Sequence, residues 1–573
     1  MLHKSPFTVP PPPPDVNIHH VFFNRPEQVD WPDFTYYIDA ATDKRQTYKG
    51  FVAKVKASIS ALGMPILEGG LGFEVGDIIG IMSENSMDYP VVVHALLALA
   101  IPFSLIPAYS THFELLHAFR LSKITRLFVQ PEYLRAALAV AKDVNLPAER
   151  IYIIGRNVKK YQGLDNMVER VQKANIPILS PRPATTDTLA YLVFSSGTSG
   201  PPKAVMITHG NLIYSVSQLI IVAQERMKVE QPPTPSTPEG IPISLGFLPF
   251  HHSYGLHAFC FRNILAPSTV VILSKWNLEV ALKVVPKYRI TTLNLIPSVV
   301  HQLVNHPKFP KTNLSSVTTV GCGAAHLVPE LASQFSSFVN NVPLGEGYGL
   351  SECTIAALIQ PFPGLFEGKA KRYPGCAGIL LPGMEARIVR EDGSDANTNE
   401  VGELYLKGFN VCKGYWNNEK ANQEAFVNGW LRTGDMFRAD AEGNFFFADR
   451  AKDTLKVSGT QVSPVEIEEV LLTQPDKLIE DVTVAGVQGH GRTSDEKVPR
   501  AWIVLSKVGK AKGAPTVIKA LEEWHHQNLS KYKWLRGGFE VVEEIPKSPT
   551  GKVLRRVLVD LYDQRLKKMK GKL

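Results

Sequence analysis

One stretch of the sequence, YLVFSSGTSGPPKAVMITHGN at residues 191–211, places glycines, hydroxyl residues and a lysine between two apolar runs. Glycine lets a backbone approach a ligand closely, and short hydroxyl side chains can hydrogen-bond an anion. The two prolines stiffen the exit from the loop because proline restricts φ. A phosphate site is one interpretation and a solvated Gly-Ser turn is the other. The candidate phosphate ligands are Ser195, Ser196, Gly197, Thr198, Ser199, Gly200 and Lys203.

This loop differs from the phosphate-binding loop of common kinases and ATPases. That motif runs from a strand through G-x-x-x-x-G-K-S/T into a helix. Here Gly197 and Gly200 are three residues apart, no Gly-Lys-Ser/Thr follows, and the next residues, AVMITH, favour a second strand. The sequence therefore predicts the tip of a β-hairpin and disfavours an ordinary P-loop enzyme.

Three other stretches end in charged residues that nucleotide chemistry uses. GYGLSE, residues 347–352, ends in a carboxylate, as a Mg²⁺ ion bound to phosphates requires. GWLRTGD, residues 429–435, ends in an acid that can accept hydrogen bonds from two ribose hydroxyls. IPKSPTGK, residues 545–552, presents a lysine on a Gly-Thr turn. Each pattern is weak alone, so only their combination indicates a nucleotide site.

The composition is that of a globular protein. Of 573 residues, 44% are hydrophobic and 20% are charged, and no run of about 18 apolar residues predicts a membrane span. The net charge of +8 is dispersed except in the tail RLKKMKGKL, and aromatic residues do not interleave with basic runs, so we expect no nucleic-acid partner. Five scattered cysteines without a C-x-x-C pair predict a reduced protein without zinc. The proline-rich start predicts an extended, loosely ordered segment and no signal peptide.

The pattern along the chain predicts the fold class. Short β-rich runs alternate with helical patterns over residues 78–203 and again after the proline-rich stretch 231–242, which indicates parallel sheets covered by helices. Beyond residue 375, short strands and turns predict a small β subdomain, and the remainder after ADRAKD predicts a compact α+β unit. We therefore expect an α/β protein with a large compound N-terminal domain and a smaller C-terminal α+β domain.

The order and spacing of these motifs resemble the adenylate-forming superfamily of acyl-CoA synthetases, luciferases and nonribosomal-peptide adenylation domains, and in particular 4-coumarate-CoA ligase-like enzymes. The resemblance runs from about residue 51 to residue 556. It implies that ATP and a carboxylic acid form an acyl-adenylate and pyrophosphate, after which a thiol, usually that of coenzyme A, displaces AMP. It also implies an extended lead-in with the first strands over 1–50, an AMP-binding domain over 51–449 and a mobile C-terminal domain over 450–573.

The resemblance assigns roles around the nucleotide. The loop at 195–203 matches the part that holds the β- and γ-phosphates, and Glu352 matches the Mg²⁺ ligand. Asp435 matches the ribose ligand, assisted by Arg450. Tyr348 matches the aromatic residue near adenine. The other matched positions near the nucleotide are Gly323, Ala324, Gly349 and Ser351, of which Ser351 keeps a hydroxyl near the α-phosphate where threonine is more usual.

The resemblance also assigns residues to the two chemical steps. Lys552 matches the adenylation lysine, and the chemistry requires such a cation because a carboxylate attacking an α-phosphate brings negative charge onto negative charge. Lys452 matches the hinge about which the C-terminal domain turns. Lys456 and Gly459 resemble residues near the thiol-transfer arrangement.

The expected acid follows from departures from the coumarate pattern. His252, in LPFHHSYGLH, matches a pocket residue that gates and orients the carboxylate. Gly321 stands where plant 4-coumarate ligases tend to carry lysine, and small residues follow Glu352, so we expect a roomier, more apolar pocket for a fatty or aryl acid. The predicted pocket residues are His252, Tyr254, His257, Gly321, Ile355 and Ala356.

Several alternatives remain open at this stage. Coenzyme A is the expected acceptor, and an acyl carrier protein is the alternative. A catalytically silent relative that acts as a binding protein is a different class, which the presence of Glu352, Asp435 and Lys552 disfavours. The final Gly-Lys-Leu resembles a peroxisomal address read by an import receptor, and a cytoplasmic location is the alternative.

Overall fold

The computed structural model describes residues 1–110, 112–195, 202–230, 234–325, 327, 329–339, 342–450, 455–457, 460–462, 464–489, 497–529, 531–549, 551 and 553–570. The chain forms two compact units. The larger comprises residues 2–386 and 406–431, and the smaller comprises residue 1 with residues 387–405 and 432–573. The predicted domain boundary at 449/450 stays a prediction.

The strands are, in chain order, β1 (Leu2–Lys4), β2 (Thr35–Asp39), β3 (Arg45–Thr47), β4 (Ile79–Met82), β5 (Phe103–Ile106), β6 (Arg126–Val129), β7 (Ile151–Ile153), β8 (Leu189–Ser195), β9 (Lys203–Thr208), β10 (Ile243–Gly246), β11 (Thr269–Ile272), β12 (Thr292–Leu295), β13 (Thr319–Cys322), β14 (Leu344–Tyr348), β15 (Leu358–Ile359), β16 (Cys376–Leu380), β17 (Glu385–Val389), β18 (Gly402–Lys407), β19 (Phe426–Val427), β20 (Trp430–Ala439), β21 (Phe445–Arg450), β22 (Leu455–Val457), β23 (Thr460–Val462), β24 (Ile479–Gln488), β25 (Lys497–Leu505) and β26 (Phe539–Val541).

The helices are α1 (Ile18–Phe23), α2 (Tyr48–Gly63), α3 (Asp88–Ala98), α4 (His112–Ser122), α5 (Leu134–Asp143), α6 (Leu164–Lys173), α7 (His209–Val229), α8 (Ser253–Leu256), α9 (Leu278–Lys287), α10 (Pro297–Val304), α11 (Pro329–Phe338), α12 (Glu419–Ala425), α13 (Pro464–Leu472), α14 (Lys507–Lys512), α15 (Ala514–Asn528) and α16 (Arg555–Lys570). In the described part of the chain, no helix is long and apolar enough to cross a membrane.

Two mostly parallel sheets build the larger unit. One has the strand order β7-β6-β4-β5-β8-β9, parallel except for the antiparallel pair β8 and β9. In the other, β14-β13-β12-β10-β11-β2 are parallel neighbours, with antiparallel β15 and β16 beyond β14 and antiparallel β3 beside β2. The predicted parallel sheets with covering helices are therefore confirmed.

Helices cover the sheets, and the apolar residues of the helices face the core. In α3 the residues from Tyr89 to Ala98 are all buried, so this helix is enclosed on every side. Helix α7 begins with a capping box in which the side chains of Thr208 and Asn211 each accept a hydrogen bond from the other residue's backbone N–H. The start of α7 is thereby fixed directly after β9, the strand that leaves the glycine-rich loop.

The first residues pack against the larger unit on both sides of the proline run. Residues 10–14 have no regular structure, as expected. Phe7, however, is buried in a cluster with Phe362, Leu365 and Ile379, and the Asn17 side-chain amide donates to the carbonyl of Leu97. The residues on both sides of the proline run are therefore packed against the larger unit.

The smaller unit has its own core. Strands β24, β25 and β26 form a three-stranded sheet, and β22 and β23 form a separate hairpin. Residues of β24 and β25 pack with α13 and α15 around Ile467, Leu471, Val517 and Leu521. Strands β20 and β21 pair in an antiparallel arrangement. This α+β organisation agrees with the fold class predicted for the C-terminal part of the chain.

Candidate functional site

The glycine-rich loop joins two antiparallel strands. The register of β8 and β9 ends with Ser195 opposite Lys203, and the Ser195 Oγ donates to the Lys203 carbonyl at 3.4 Å. The predicted hairpin is therefore confirmed. The Lys203 Nζ lies 4.9 Å from the ring centroid of Tyr415. Five candidate ligands lie outside the described residues, namely Ser196, Gly197, Thr198, Ser199 and Gly200.

The GYGLSE motif leaves β14 through a turn that requires glycine. Tyr348 is the last residue of β14, and a Cβ atom on Gly349 would lie 1.8 Å from the carbonyl oxygen of Ile355. Any side chain at this position would thus force the backbone apart. The turn then continues into a short 3₁₀ helix, Ser351–Cys353, in which Glu352 is buried. The Ser253 hydroxyl donates to the Ser351 hydroxyl at 3.1 Å.

The buried Glu352 carboxylate accepts a hydrogen bond from the Tyr415 hydroxyl at 2.8 Å. Burial and the adjacent Glu352 carboxylate raise the pKa of Tyr415 far above its usual value, so its hydroxyl remains a donor at any working pH. Since Tyr415 also lies beneath the Lys203 ammonium, this one ring connects the strand that leaves the loop with the predicted Mg²⁺ ligand.

The segment 410–416, with the sequence NVCKGYW, binds both motifs by hydrogen bonds. On one side, the backbone N–H of Cys412 donates to the Glu352 carbonyl, and the Asn410 side-chain amide donates to the carbonyls of Cys353 and Ala356. On the other side, the segment exchanges backbone hydrogen bonds with β9 at Ala204 and Met206. Sequence reasoning missed this segment, although its Asn, Gly and Tyr residues are a weak signal for a turn with a buried polar group.

Neutral histidines lie at the start of α8. His252 is the N-cap residue, and its Nδ1 accepts from the backbone N–H of Tyr254 at 3.3 Å. The Nε2 of His251 forms a hydrogen bond with the Tyr109 hydroxyl at 3.1 Å. Burial lowers the pKa of His252 to about 4, and burial together with His252 lowers the pKa of His251 to about 3. Both imidazoles are therefore uncharged at neutral pH.

Of the other predicted pocket residues, Tyr254 and Gly321 lie close together, whereas His257 lies elsewhere. Tyr254 lies beside β13: a Cβ on Gly321 would be 3.9 Å from its hydroxyl, and one on Gly323 would be 3.6 Å from its ring. The following residue, Ala324, has a positive φ of 70°. His257 is instead buried within the core, where its Nε2 is 2.9 Å from the Tyr191 hydroxyl, and burial lowers its pKa to about 3.

The predicted pocket residues Ile355 and Ala356 contribute backbone atoms to the turn after Glu352. The Ile355 carbonyl faces Gly349, and the Ala356 carbonyl accepts from Asn410 at 3.1 Å. These contacts explain why a compact turn forms here. The pocket role predicted for Ile355 and Ala356 stays a prediction.

The remaining candidates belong to the smaller unit. Asp435 is buried in β20, its backbone N–H donates to the Thr433 hydroxyl at 3.1 Å, and it lies opposite Arg450 in the β20–β21 register. The two residues of the predicted ribose pair are thus cross-strand neighbours. Lys456 lies in β22 opposite Gln461. Lys452, Gly459 and Lys552 lie outside the described residues, as do the side chains of Arg450 and Lys456.

The donor set around Glu352 fits a Mg²⁺ ion that arrives with a nucleotide. In the described part of the chain, no three His, Cys, Asp or Glu side chains form a cluster that could enclose a metal. Mg²⁺ in nucleotide sites is usually held by one or two carboxylates and by the phosphates themselves, so a single buried carboxylate is sufficient. The Tyr415 hydroxyl occupies one oxygen, Oε1, of this carboxylate.

Comparisons with known proteins identify relatives over most of the chain. Residues 26–416 match the family described as AMP-binding enzyme, and residues 466–552 match the AMP-binding enzyme C-terminal domain. The chain is 32% identical over 499 residues to acyl-CoA ligase AFT1-1 of Alternaria alternata, covering 84% of this chain and 82% of that protein. It is 31% identical over 519 residues to probable 4-coumarate–CoA ligase 1 of Dictyostelium discoideum, covering 87% and 88%.

Solved structures share the fold. The ATP-bound MatB of Rhodopseudomonas palustris superposes with a TM-score of 0.79 at 23% identity, covering 95% of this chain and 98% of that one. The anthranilate CoA ligase AuaEII, in complex with anthranoyl-AMP, has a TM-score of 0.79 at 21% identity and covers 98% and 99%. The resemblance and the fold class expected from the sequence are both confirmed.

We expect Tyr415→Phe to weaken the binding of Mg-ATP about 10- to 100-fold. The hydrogen bond holds the Glu352 carboxylate in position before the nucleotide binds, and a carboxylate that must be repositioned on binding loses up to the about 1.5–3 kcal/mol that such a bond contributes. Isothermal titration with Mg-ATP measures the effect. Tyr373→Phe, which removes an exposed hydroxyl, is the matched control and should bind like the wild type. Equal affinities for the two variants would contradict the role of Tyr415.

Proposed function

The chain belongs to the AMP-binding enzyme family, and from that premise we propose that it is an ATP-dependent acid–CoA ligase. In the first step, a carboxylate oxygen of the acid attacks the α-phosphorus of ATP, and the bond to pyrophosphate breaks. In the second, the sulfur of coenzyme A attacks the acyl carbon, and AMP leaves. The observation that carries the proposal is the hydrogen-bonded 410–416 segment, which brings Lys203 and Glu352 together around Tyr415.

The substrate Mg-ATP supplies its own metal. The bound Mg²⁺ neutralises phosphate charge, and Glu352 is the residue that would hold it. Residues 195–203 would hold the β- and γ-phosphates through backbone N–H groups and hydroxyls. Asp435 and Arg450 would bind the ribose, Tyr348 would lie by adenine, and Ser351 would lie near the α-phosphate. Gly323, Ala324 and Gly349 would leave room for the nucleotide.

A neutral His252 can orient the carboxylate of the acid by a hydrogen bond. Because the Nδ1 of His252 accepts a hydrogen bond, the proton of the neutral ring is on Nε2, which can donate to a carboxylate oxygen. An uncharged donor orients the acid without cancelling its charge, so the nucleophile stays reactive. The cation that offsets repulsion between the two anions must then come from elsewhere, and Lys552 is the proposed source.

We propose an acid whose main body is apolar, either a fatty or an aryl acid, and coenzyme A as the acceptor. The names of the two relatives above, an acyl-CoA ligase and a probable 4-coumarate–CoA ligase, support both assignments. Lys456 and Gly459 are assigned to thiol transfer and Lys452 to the hinge of a mobile domain that begins at residue 450. Transfer to an acyl carrier protein is the second candidate for the acceptor, and it rests on fold analogy alone.

We propose the peroxisome as the location of this ligase, with the cytoplasm as the alternative. The last three residues, Gly571 to Leu573, resemble an address read by an import receptor. A relative that is 30% identical over 533 residues, from Arabidopsis thaliana, is named peroxisomal OPC-8:0-CoA ligase 1. Loss of import after deletion of the last three residues would support this address.

The function is tested by acid-dependent release of AMP. We expect AMP and pyrophosphate, and no ADP, when the protein is mixed with Mg-ATP, coenzyme A and members of a panel from acetate through long-chain fatty acids to benzoic, phenylacetic and cinnamic acids. Chromatography of the nucleotides separates this outcome from a kinase or ATPase, which releases ADP. Absence of AMP with every acid, from folded protein, would favour a catalytically silent relative.

Lys552→Ala should slow adenylate formation by about 10²- to 10³-fold, because the cation that stabilises the transition state is lost. Thioester formation from preformed acyl-AMP and coenzyme A should remain comparatively intact. Single-turnover measurements of each half-reaction distinguish the two steps. An equal loss in both half-reactions would refute the assigned role.

Lys452→Pro should produce the opposite pattern. Proline restricts φ, so a backbone rotation at this residue would be blocked, and thioester formation should fall more than adenylate formation. The same two single-turnover measurements apply. Unchanged thioester synthesis would remove the hinge assignment.

A further inference from the structure

Arg262 follows the predicted pocket residue Tyr254 in the same helical segment and has no acidic partner among the described residues. Its side chain is solvent-accessible, yet desolvation by the surrounding protein lowers its pKa from the usual value. Exposure to solvent combined with desolvation fits a side chain that lines a recess in the protein surface. Arginine stays protonated even so. Among the residues that the structure describes, no carboxylate forms an ion pair with Arg262 and no group hydrogen-bonds its guanidinium.

The backbone brings Arg262 to the same face as Tyr254. The helical segment begins with α8 at Ser253, continues as a π-helix over His257–Phe261 and ends as a 3₁₀ turn over Arg262–Ile264. In an uninterrupted α-helix, residues eight apart differ by about 80° around the axis. The π turn takes up an extra residue and so reduces this difference. Consistent with that placement, the charge of Arg262 acts on the Tyr254 hydroxyl.

The length of the same segment gives the distance between Arg262 and the GYGLSE motif, which is predicted to bind the nucleotide. Its first residue, Ser253, contacts the Ser351 hydroxyl, which lies in the nucleotide motif. Arg262 is nine residues further on, and at about 1.5 Å per residue this corresponds to roughly 13 Å along the helix. A group bound at Arg262 is therefore far from the carboxylate that reacts with ATP.

Two further polar side chains border this recess. A Cβ on Gly321 would lie 3.6 Å from the Asn294 Oδ1 and 3.9 Å from the Tyr254 hydroxyl, so both face the space that the missing side chain leaves. Neither side chain makes a hydrogen bond to a described residue, and neither of these atoms is sealed from solvent. Burial raises the pKa of the Tyr254 hydroxyl, which keeps it a hydrogen-bond donor. Polar groups placed in this way need a polar ligand, because leaving them unpaired beside a bound apolar chain costs free energy.

The positive charge of the two arginines at the recess favours an anionic ligand. Arg226, whose guanidinium lies 5.2 Å from the Phe362 ring centroid, repels Arg262 electrostatically and also makes no described ion pair. Two cations without an ion pair among the described residues, beside a hydroxyl donor, fit a carboxylate, which a guanidinium can bind through two hydrogen bonds. We propose that the acid substrate carries a second carboxylate at its far end and that Arg262 binds this group, with the Tyr254 hydroxyl as a further donor. This inference rests on the proposed ligase function.

Paired substrates of equal length provide the test. Release of AMP is measured with succinic, adipic, suberic, sebacic and dodecanedioic acids, each against the monocarboxylic acid of the same chain length. We expect kcat/KM to be higher for at least one dicarboxylic acid than for its partner. In Arg262→Met this preference should fall about 10- to 100-fold, since a charge-assisted hydrogen bond is lost, while the monocarboxylic acid is used at least as well as before.

Two further variants separate this role from a structural one. Arg135→Met removes an exposed arginine of α5 and is the matched control, which should keep the wild-type preference. Arg262→Glu should lose the preference for dicarboxylic acids and gain a preference for acids with an amine at the far end. A variant that is only less stable would not gain activity with any acid. A wild type that prefers every monocarboxylic acid, or an Arg262→Met variant that raises only the KM for coenzyme A, would overturn the proposal and leave the ligase function standing.

Calorimetric binding keeps the two proposals distinguishable. If no acid releases AMP, the ligase function fails, and titration of sebacic and decanoic acids into the wild type and Arg262→Met then decides about Arg262 alone. Sebacic acid should bind the wild type more tightly than decanoic acid and should lose this advantage in the variant. Equal binding of sebacic acid to both proteins would overturn the assignment of Arg262.

Discussion

The structure depends on the need to satisfy a buried carboxylate. Glu352 is withdrawn from water, and an unpaired buried charge would be expensive, so the Tyr415 hydroxyl is held against it. Holding Tyr415 there requires the 410–416 segment, which pairs with β9 on one side and with the turn after β14 on the other. The predicted Mg²⁺ ligand and the exit of the phosphate loop are therefore positioned by a single hydrogen-bonded connection. Such preorganisation spares the entropy of assembling the site when the nucleotide arrives.

How much the sequence could predict depends on whether the information was local. The hairpin at 191–211, the parallel strands and the buried carboxylate motif could be identified because glycine, β-branched and acidic residues act on their own neighbours. Tyr415 and Asn410 could not, since their partners Glu352 and Cys353 lie far away in the chain and ordinary turn residues surround them. The packing of Phe7 escaped detection for the same reason: its partners lie beyond residue 360.

At the predicted acyl pocket, the size of the side chains is a poor guide to the polarity of the space. Gly321 and the small residues after Glu352 predict a roomy and apolar space, because each lacks bulk. The structure places polar groups there from other elements: Asn294 from β12 and Tyr254 from α8 lie within 4 Å of the position that a Cβ on Gly321 would take. The absence of a lysine at Gly321 therefore does not leave the pocket without polar groups; it exposes those of its neighbours. An apolar body and a polar far end are compatible in one substrate.

Electrostatics then determine which groups can assist the first chemical step. The two adjacent histidines look like a source of positive charge, but burial holds their pKa values at about 3 and about 4, and each ring already uses one nitrogen in a hydrogen bond. A neutral imidazole can orient a carboxylate and cannot offset its repulsion from a polyphosphate. In the proposed function, metal charge at Glu352 and the cation of Lys552 share that task, and a lysine is suited to the second part because its flexible stem brings a compact charge to the point of attack.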